Sequence, residues 1–484
     1  MPVPVLTIAQ MRQWEQATWA TGQTEEAVIR RVGELVARRA RRLTRPGDAI
    51  LILAGRGHNG DDARCAQPHL AQREVVRLEN QEPAASRAAL DVALARRPAL
   101  IIDGWFGIGL NRPLAPAWQT LIGAVNASGI SVLAVDTPSG LNADTGEPWG
   151  AAVRATVTLT LGAPKAGLLR PSAAPWVGRL EVAADIGLAP CPHAGEVAWT
   201  LPEDFLDYPP ARPVAGHKGS FGHVAIWAGS LGYHGAAVLA ARGAQRAQPG
   251  LITLSPTAGV YAPVASQLQA VMVRPWSREA NLPETTTAIL AGPGLAGPDL
   301  PPDLGSQLAE AWRSSPLALV VDASGLAWLP AGTTPAAAAR VITPHPGEAA
   351  RLLGATTREV LADRLGAIRA LSQRFGQCWV VLKGHQTLVG RATGAVFVNP
   401  SGNPHLGQGG SGDLLAGFIA GLLAQPALQA DPPRALRYAV WQHGAAADSL
   451  AARQPNWTVE DLADTLGRLR APFLPWPTVL DSPE

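Results

Sequence analysis

Short apolar runs separated by longer amphipathic stretches dominate the first half of the chain. The runs are AILILAG, EVVRL, ALIIDG, SVLAVD and ATVTLTLG, beginning at residues 49, 74, 99, 131 and 155. Runs of this length with helical connections predict parallel strands in a doubly wound, Rossmann-like sheet. Such sheets bind ligands at the carboxyl ends of their strands, which is where Gly55, Asp103 and Asp136 fall.

The composition changes between about Leu188 and Val214, where proline-rich segments with short apolar pieces predict a linker. The strand pattern then restarts with GHVAIWAG, GLITLS, TTAILAGPG, LALVVDAS, ARVITPHPGE, CWVVLKG and TGAVFVNP. It includes a predicted helix over residues 235–247 and a second, apolar helix, DLLAGFIAGLLAQ, directly after a glycine-rich segment. Because the two halves are not copies of each other, we expect two different α/β domains, residues 1–205 and 206–484.

Composition agrees with two folded domains and narrows the class of partner. The 484 residues are more than a single hydrophobic core usually serves, and 47% of them are hydrophobic against 16% charged. A net charge of +2 gives no reason to expect nucleic acid or a membrane as a partner. The densest basic run, Arg38, Arg39, Arg41, Arg42 and Arg45, is expected to be the solvated end of a helix.

Three cysteines are too few and too scattered for a disulfide framework or a zinc cluster. The first residues do not read as a signal peptide, and no apolar run reaches the roughly 18 residues that span a bilayer. The sequence therefore predicts a soluble, cytoplasmic protein.

The segment GQGGSGD has the chemistry of an anion site. Glycines at 407, 409, 410 and 412 allow close approach of the backbone N–H groups, and the positive end of the following helix points to the same place. Asp413 would then lie beside a bound phosphate, where it can accept a proton from an attacking hydroxyl. The alternative is a tight turn in which Asp413 only caps the helix.

Three further segments end predicted strands: LAGPGLA at 290–296, ITPHPGE at 342–348 and VLKGHQT at 381–387. Lys383 and the glycine after it are suited to hold a nucleotide phosphate or ribose, with the Thr387 hydroxyl nearby. His345, between two prolines, has a restricted backbone and either contacts a substrate or is structural.

Together with HKGSFGHVAIWAGS, GYHGAAVLAARGAQRA and NPSGNPHLGQGGSGDLLAG, these segments resemble the NAD(P)HX dehydratase family of the ribokinase-like superfamily, over residues 215–470. NADHX and NADPHX are the hydrated forms of NADH and NADPH. The resemblance implies phosphorylation of their C6 hydroxyl by ADP or ATP with magnesium, followed by loss of phosphate. It implies nucleotide binding by Lys383, Gly384, His385, Gln386, Thr387 and Gly412. It also implies substrate binding by Ala236, Gly294, His345 and Asp413, with Asp413 as the base.

In the first half, Gly55, Gly57 and Gly60 follow a predicted strand with the spacing of a dinucleotide fingerprint, and Glu74 or Glu79 would be its acid. That pattern alone indicates an ordinary NAD site. With DGWFGIGLNRP at 103–113 and VDTPSGLNADTG at 135–146, however, residues 5–200 resemble the NAD(P)HX epimerase family, which interconverts the R and S hydrates.

The epimerase resemblance implies a potassium site at Asn59, Asp103 and Ser139, whose oxygen donors suit a hard cation. It implies substrate contacts from His58, Asn59, Gly60, Asp61, Asp62, Gly107, Ile108, Gly109, Leu110, Asn111, Arg112, Pro113 and Asp136. Asp136 is the candidate acid–base residue, or else it caps the turn after its strand. His58, Asp61 and Ile108 depart from the family's usual residues, which bears on whether this half is catalytic.

The leading prediction is a bifunctional enzyme that repairs hydrated nicotinamide cofactors. One alternative is a small-molecule kinase of the same superfamily acting on a vitamin-type alcohol, which would release a stable phosphoester. Another is a dehydratase whose first domain is a non-catalytic binding or oligomerisation module. Only small molecules are expected as ligands, and we expect a homo-oligomer.

Overall fold

The computed structural model describes residues 2–79, 82–279, 282–335 and 338–470. The chain divides into two compact units, Val3–Trp199 and the part that begins at Thr200. The sequence had placed the domain boundary between residues 205 and 206.

The N-terminal unit is built on a parallel sheet with the strand order β3-β2-β4-β5-β6-β7. The unit's strands are β1 Val3–Pro4, β2 Ala49–Ala54, β3 Glu74–Glu79, β4 Leu100–Gly104, β5 Val132–Val135, β6 Val157–Leu161, β7 Arg179–Ala183 and β8 Val197–Trp199. Its helices are α1 Ile8–Trp19, α2 Glu25–Arg42, α3 His58–Ala66, α4 Pro83–Ala95, α5 Pro116–Ser128 and α6 Ala174–Val177. Strands β1 and β8 pair with each other antiparallel.

This sheet is apolar on both faces, which explains why its strands read as continuous hydrophobic runs. Along β2, Ile50 and Ile52 pack into a cluster with α2 and α3, whereas Leu51 and Leu53 pack into a cluster with α5. Successive side chains of a strand point to opposite faces, so helices cover both sides. The predicted doubly wound fold is confirmed.

One expectation about this half was incomplete, and one was wrong. The proline-rich segment predicted as a linker contains strand β8, which the short run VAW did not reveal. The basic run at the end of α2 is not solvated throughout, because Arg39 is buried against β7. Its Nε and Nη2 atoms donate to the two carboxylate oxygens of Glu181 at 2.6 and 2.8 Å. A two-bond pair of this kind compensates the loss of water around both charges.

The C-terminal unit has a mixed sheet with the strand order β17-β16-β15-β14-β13-β12-β9-β10-β11, parallel except for the pairs that β16 makes. Its strands are β9 His223–Trp227, β10 Leu251–Ser255, β11 Met272–Val273, β12 Ala288–Ala291, β13 Ala318–Val321, β14 Arg340–Ile342, β15 Trp379–Leu382, β16 Leu388–Gly390 and β17 Val396–Val398. Its helices are α7 His234–Ala247, α8 Tyr261–Ala265, α9 Leu304–Ser314, α10 Pro346–Leu353, α11 Thr357–Ala362, α12 Arg364–Arg374, α13 Ser411–Leu423, α14 Pro426–Gln429, α15 Pro432–Ala451 and α16 Val459–Thr465.

Helices α7 and α13 pack backbone against backbone, and this contact fixes the start of α13. A Cβ atom on Gly243 would lie 2.1 Å from the carbonyl oxygen of Leu414, and one on Gly417 would lie 1.9 Å from that of Ala240. Only glycine allows helices to approach this closely. The apolar run after GQGGSGD is therefore a central helix of the core, as its composition predicts.

Among the residues that the structure describes, no helix has the length and apolar character needed to cross a membrane.

We predict that Gly243→Ala lowers the free energy of unfolding by about 1–3 kcal/mol, because the added methyl group forces α7 away from α13. The matched control is Gly235→Ala in the first turn of α7, where nothing lies within 4 Å of the added atom. It should leave stability unchanged or raise it by up to about 1 kcal/mol. Urea unfolding measures both changes, and equal effects of the two variants would refute the packing argument.

Candidate functional site

In the C-terminal unit, the predicted residues follow the carboxyl ends of adjacent parallel strands. Gly294 follows β12, Asp322 follows β13, His345 follows β14 and Lys383 follows β15. Because these strand ends lie along one edge of the sheet, segments separated by many residues reach the same region.

A buried ion pair lies at the centre of this edge. Lys383 Nζ donates to Asp322 Oδ1 at 2.8 Å, and both side chains are largely removed from solvent. Burial disfavours the Lys383 charge, but the carboxylates of Asp322, Glu348 and Asp413 together raise its pKa. A Cβ atom on Gly412 would lie 3.3 Å from Lys383 Nζ, so a side chain at the start of α13 would crowd the pair. The sequence-based reading had identified Lys383 and Gly412 but not Asp322.

Asp413 lies in the first turn of α13 and faces this cluster. Burial raises the pKa of its carboxyl to about 7, and the charges of Asp322 and Glu348 add to the rise, while Lys383 opposes it. A carboxyl group whose pKa lies near neutral pH is suited to take up and release a proton during a reaction. Asp413 thus has the properties of a general base as well as a position at a helix start.

His345 is at once a helix cap and a polar group open to a ligand. Its Nδ1 accepts hydrogen bonds from the backbone N–H groups of Gly347 and Glu348 at 3.0 and 3.3 Å. The neutral ring therefore carries its proton on Nε2, and the side chain is half-exposed. Glu348 completes a capping box, because its carboxylate accepts a hydrogen bond from the His345 backbone N–H at 2.8 Å.

The turn from Lys383 to Thr387 contains unusual backbone angles. Gly384 has φ +138° and Gln386 has φ +51°. The Thr387 hydroxyl donates to the carbonyl oxygen of Gly384 at 3.0 Å, so its proton is used within the turn and only its lone pairs face outward. His385 is an exposed residue of the same turn.

Gly294 and Ala236, both predicted to bind substrate, lie next to each other. A Cβ atom on Gly294, whose φ is +64°, would lie 2.8 Å from the Ala236 Cβ atom and 2.7 Å from the Tyr233 carbonyl oxygen. Ser230 fixes this loop because its hydroxyl donates to the Gly294 carbonyl at 2.6 Å and accepts the Gly297 N–H at 2.7 Å.

His443 supports the glycine-rich loop from behind and was not identified from the sequence. It lies on α15, where its Nε2 is 3.0 Å from the backbone carbonyl oxygen of Ser411. Burial lowers its pKa to about 4, so the ring is neutral at physiological pH and donates a single hydrogen bond. A lone histidine in an apolar helix gives no local signal of this contact.

In the N-terminal unit, a cavity of about 600 Å³ opens between α1, α2, the start of α3 and the loop after β4. Ten of the predicted substrate residues line it: His58, Asn59, Asp62, Gly107, Ile108, Gly109, Leu110, Asn111, Arg112 and Asp136. Residues from α1 that the sequence did not indicate, including Arg12 and Glu15, also line it.

Gly60, Asp61 and Pro113 are not among the cavity-lining residues. Gly60 serves packing, since a Cβ atom there would lie 2.1 Å from the carbonyl oxygen of Gly55. Asp61 forms an ion pair with Arg64 at 2.6 Å. The charge that the sequence places beside the ligand is therefore compensated by a neighbouring residue.

Asp136 and Lys165 form a buried ion pair at the cavity. Asp136 Oδ1 accepts hydrogen bonds from Lys165 Nζ and from the Leu161 N–H, the latter at 3.0 Å. The other two Lys165 donors are used by Thr160 Oγ1 at 3.2 Å and the Leu161 carbonyl at 2.9 Å. Among the described hydrogen bonds none reaches Asp136 Oδ2, so that oxygen is available to a ligand.

Asp103 and Ser139 are bonded to each other and are not among the cavity-lining residues. Ser139 donates to Asp103 through its hydroxyl at 2.6 Å and its backbone N–H at 2.9 Å. Burial raises the pKa of Asp103 to about 6, although these hydrogen bonds oppose the rise. Asn59 is also buried, and its Nδ2 has no hydrogen-bond partner among the described residues. A cation bound here would compensate the Asp103 charge and occupy the Asn59 carboxamide oxygen.

Two more carboxyl groups share the cavity. Burial, and then the charge of Asp136, raises the pKa of both Asp62 and Glu15. Both groups are thereby shifted towards their neutral forms, in which a carboxyl donates a hydrogen bond.

Comparisons with known proteins cover both units. Residues 224–468 match the sequence model of the NAD(P)H-hydrate dehydratase family, and residues 76–167 match that of the YjeF-related protein N-terminus. A bifunctional NAD(P)H-hydrate repair enzyme from Gloeobacter violaceus is 37% identical, covering 96% of this chain and 97% of its own. The enzyme of that name from Coxiella burnetii is 33% identical over 91% and 94%. A ribokinase-like superfamily protein from Enterococcus faecalis is 25% identical with a TM-score of 0.50, covering 57% of this chain and 96% of its own.

The Asp413 carboxyl makes the stability of the C-terminal unit depend on pH. Because folding raises its pKa from near 4 to about 7, its favourable contribution is fully present below about pH 4 and is lost as the pH rises through 7. Asp413→Asn should therefore be more stable than the parent at pH 8, by at most about 4 kcal/mol, with a smaller difference at pH 4. Urea unfolding at both pH values measures this. Glu310→Gln, which changes an exposed carboxyl of α9, is the control, and a pH-independent effect of Asp413→Asn would contradict the assignment.

Proposed function

Because the chain belongs to the family of bifunctional NAD(P)H-hydrate repair enzymes, we propose that each of its two units carries one of the family's two activities. The protein epimerises R- and S-NAD(P)HX and dehydrates the S form to NAD(P)H in a nucleotide-dependent reaction. We assign epimerisation to residues 1–205 and dehydration to residues 206–484.

For dehydration, Asp413 accepts the proton of the C6 hydroxyl as that oxygen receives a phosphoryl group from the nucleotide. Phosphate, a better leaving group than hydroxide, then leaves from C6 while a proton is lost from the adjacent carbon C5, and the double bond that forms between them regenerates NAD(P)H. The observation that carries this proposal is the pKa of about 7 at Asp413, in the first turn of a helix and beside Lys383. Ala236, Gly294 and His345 would contact the hydrated cofactor, and the turn from Lys383 to Thr387 with Gly412 would contact the nucleotide.

Magnesium fits the charge balance of this site. Asp322, Glu348 and Asp413 supply three carboxyl groups against the single positive charge of Lys383. Within the described residues, no group of three or more His, Cys, Asp or Glu side chains is arranged to hold a metal by itself. Magnesium commonly binds to one or two carboxylates and the phosphates of its nucleotide, and when bound it neutralises phosphate charge. We propose that it arrives with ADP or ATP and contacts Asp322 or Glu348.

For epimerisation, Asp136 Oδ2 is our acid–base candidate. Inverting the C6 centre requires a group that moves a proton near that carbon, and Oδ2 is the atom of Asp136 left open to the cavity. Lys165 is a positioning residue, since all three of its donors are already used inside the protein. The substrate would lie along the segments 58–62 and 107–113.

Asn59, Asp103 and Ser139 are our candidate potassium ligands. Their support is the buried Asp103 carboxyl, whose charge burial disfavours, together with the oxygen donors of the buried Asn59 and Ser139 side chains. Potassium would hold the turn after β5, and hence Asp136, in place. A cytoplasmic location and a homo-oligomeric state are further proposals that rest on the sequence.

The full-length protein should convert an equilibrated mixture of R- and S-NADHX completely to NADH with ADP or ATP and magnesium, followed by absorbance of the reduced nicotinamide. Asp413→Asn should lower dehydration at least about 100-fold while R/S interconversion, resolved by chromatography, continues. Asp136→Asn should instead stop recovery at the S fraction, apart from the slow spontaneous exchange. Asp91→Asn, an exposed change in α4, is the control.

Recovery limited to the S fraction by the unaltered protein would make the N-terminal unit non-catalytic. Phosphorylation of an unrelated alcohol without any recovery of NADH would favour the small-molecule kinase.

Removing potassium tests the cation proposal separately. Replacing it with tetramethylammonium should slow epimerisation about 10-fold or more, since the Asp103 charge loses its partner, and should leave dehydration of purified S-NADHX unchanged. Equal epimerisation rates in the two salts would reject the site.

A further inference from the structure

Arg364, the first residue of α12, holds the turn that we assign to the nucleotide. Its Nη1 donates to the carbonyl oxygen of His385 at 2.8 Å and its Nη2 to that of Gln386 at 3.0 Å. Burial lowers the pKa of Arg364 to about 10, which leaves the guanidinium charged at physiological pH. One rigid fork therefore fixes two consecutive peptide groups.

The turn needs such support. Gln386 has φ +51°, a conformation that side-chain-bearing residues adopt at a cost, and Gly384 has φ +138°. Backbone conformations of this kind persist only where surrounding contacts hold them. The Thr387 hydroxyl bond to Gly384 closes the turn from one side, and Arg364 holds it from the other.

The direction of the two carbonyl groups determines what the turn presents on its other side. In a trans peptide the C=O of one residue and the N–H of the next point in opposite directions. With the carbonyls of His385 and Gln386 directed to Arg364, the N–H groups of Gln386 and Thr387 are directed away from it. Neither N–H donates a hydrogen bond to another described residue. Successive free N–H groups in a turn form a concave site for an anion.

We propose that Arg364 is a positioning residue of the dehydratase, which orients the N–H groups of Gln386 and Thr387 towards the phosphate oxygens of the bound nucleotide. The inference rests on the proposed function, because it takes this turn as the nucleotide site. Arg364 acts through the backbone, so it sets nucleotide affinity and not the proton transfer at Asp413.

The same helix contains a matched control. Arg369 Nη2 donates to the carbonyl of Gly394 at 2.7 Å, and its Nη1 donates to that of Arg391. Arg369 thus holds the turn between β16 and β17 as Arg364 holds the turn before β16. The two arginines have the same type of contact and differ in which turn they hold.

The test compares Arg364→Ala, Arg364→Lys and Arg369→Ala in the full-length protein. Loss of the fork should raise the Kd for ADP, measured by calorimetry, and the KM for ADP about 10-fold or more, since two charge-assisted hydrogen bonds are lost. The kcat at saturating ADP should change less than about 3-fold. Arg364→Lys, whose ammonium group cannot bond both carbonyls as the guanidinium does, should restore only part of the affinity for ADP. Adding millimolar guanidinium should partly restore ADP binding to Arg364→Ala. Epimerisation and the KM for S-NADHX should be unchanged.

An unchanged Kd for ADP in Arg364→Ala, or an equal rise in Arg369→Ala, would overturn the inference. So would a loss confined to kcat. If the unaltered protein binds ADP but does not dehydrate NADHX, the proposed function fails, and the Kd comparison still decides the role of Arg364. If Arg364→Ala does not fold, as judged by its unfolding transition, the comparison of Arg364→Lys with Arg369→Lys gives the decision.

Discussion

Each of the two candidate sites depends on a buried ion pair between an aspartate that ends a strand and a lysine that follows another. In the C-terminal unit the pair is Lys383 with Asp322, and in the N-terminal unit it is Lys165 with Asp136. A buried charge without a partner strongly destabilises the fold, so neither residue of a pair can be replaced or moved to the surface without the other. The pairs therefore fix the strand ends on which the remaining site residues lie. In the C-terminal unit burial raises the pKa of Asp413, and the charge of Asp322 adds to the rise while Lys383 opposes it.

The sequence predicted correctly those features that depend on a local pattern of apolar and polar residues. Apolar runs identify strands that are buried on both faces, and the long apolar segment after Gly412 identifies the central helix α13. The glycine-rich loop and Asp413 were found because several motifs occur in one order. Lys165 and Asp322 were missed because their partners lie 29 and 61 residues away, and no local pattern records that separation. Arg39 was misread for the same reason, since its partner Glu181 lies 142 residues away.

Glycines show the limits of reading a motif residue by residue. Gly60 belongs to the fingerprint after β2, yet its lack of a side chain serves the approach of α3 to Gly55. Gly412 belongs to a similar loop, and there the missing side chain leaves room beside Lys383 and Asp322. Glycine is needed at position 60 for packing, whereas at position 412 it leaves space for a ligand. Distinguishing them takes the neighbouring atoms, which only the fold supplies.

The ion pair between Arg39 and Glu181 determines the smallest piece of the N-terminal unit that can fold. The family match in this half ends at residue 167, before β7 begins at Arg179. A fragment that ends at residue 167 would keep the buried Arg39 guanidinium but would lose the Glu181 carboxylate that compensates its charge. Leaving that charge unpaired costs about 3–5 kcal/mol of folding free energy. The part of the N-terminal unit that folds by itself therefore includes α2 and extends at least through Ala183. It is longer at both ends than residues 76–167, the segment that matches the family model.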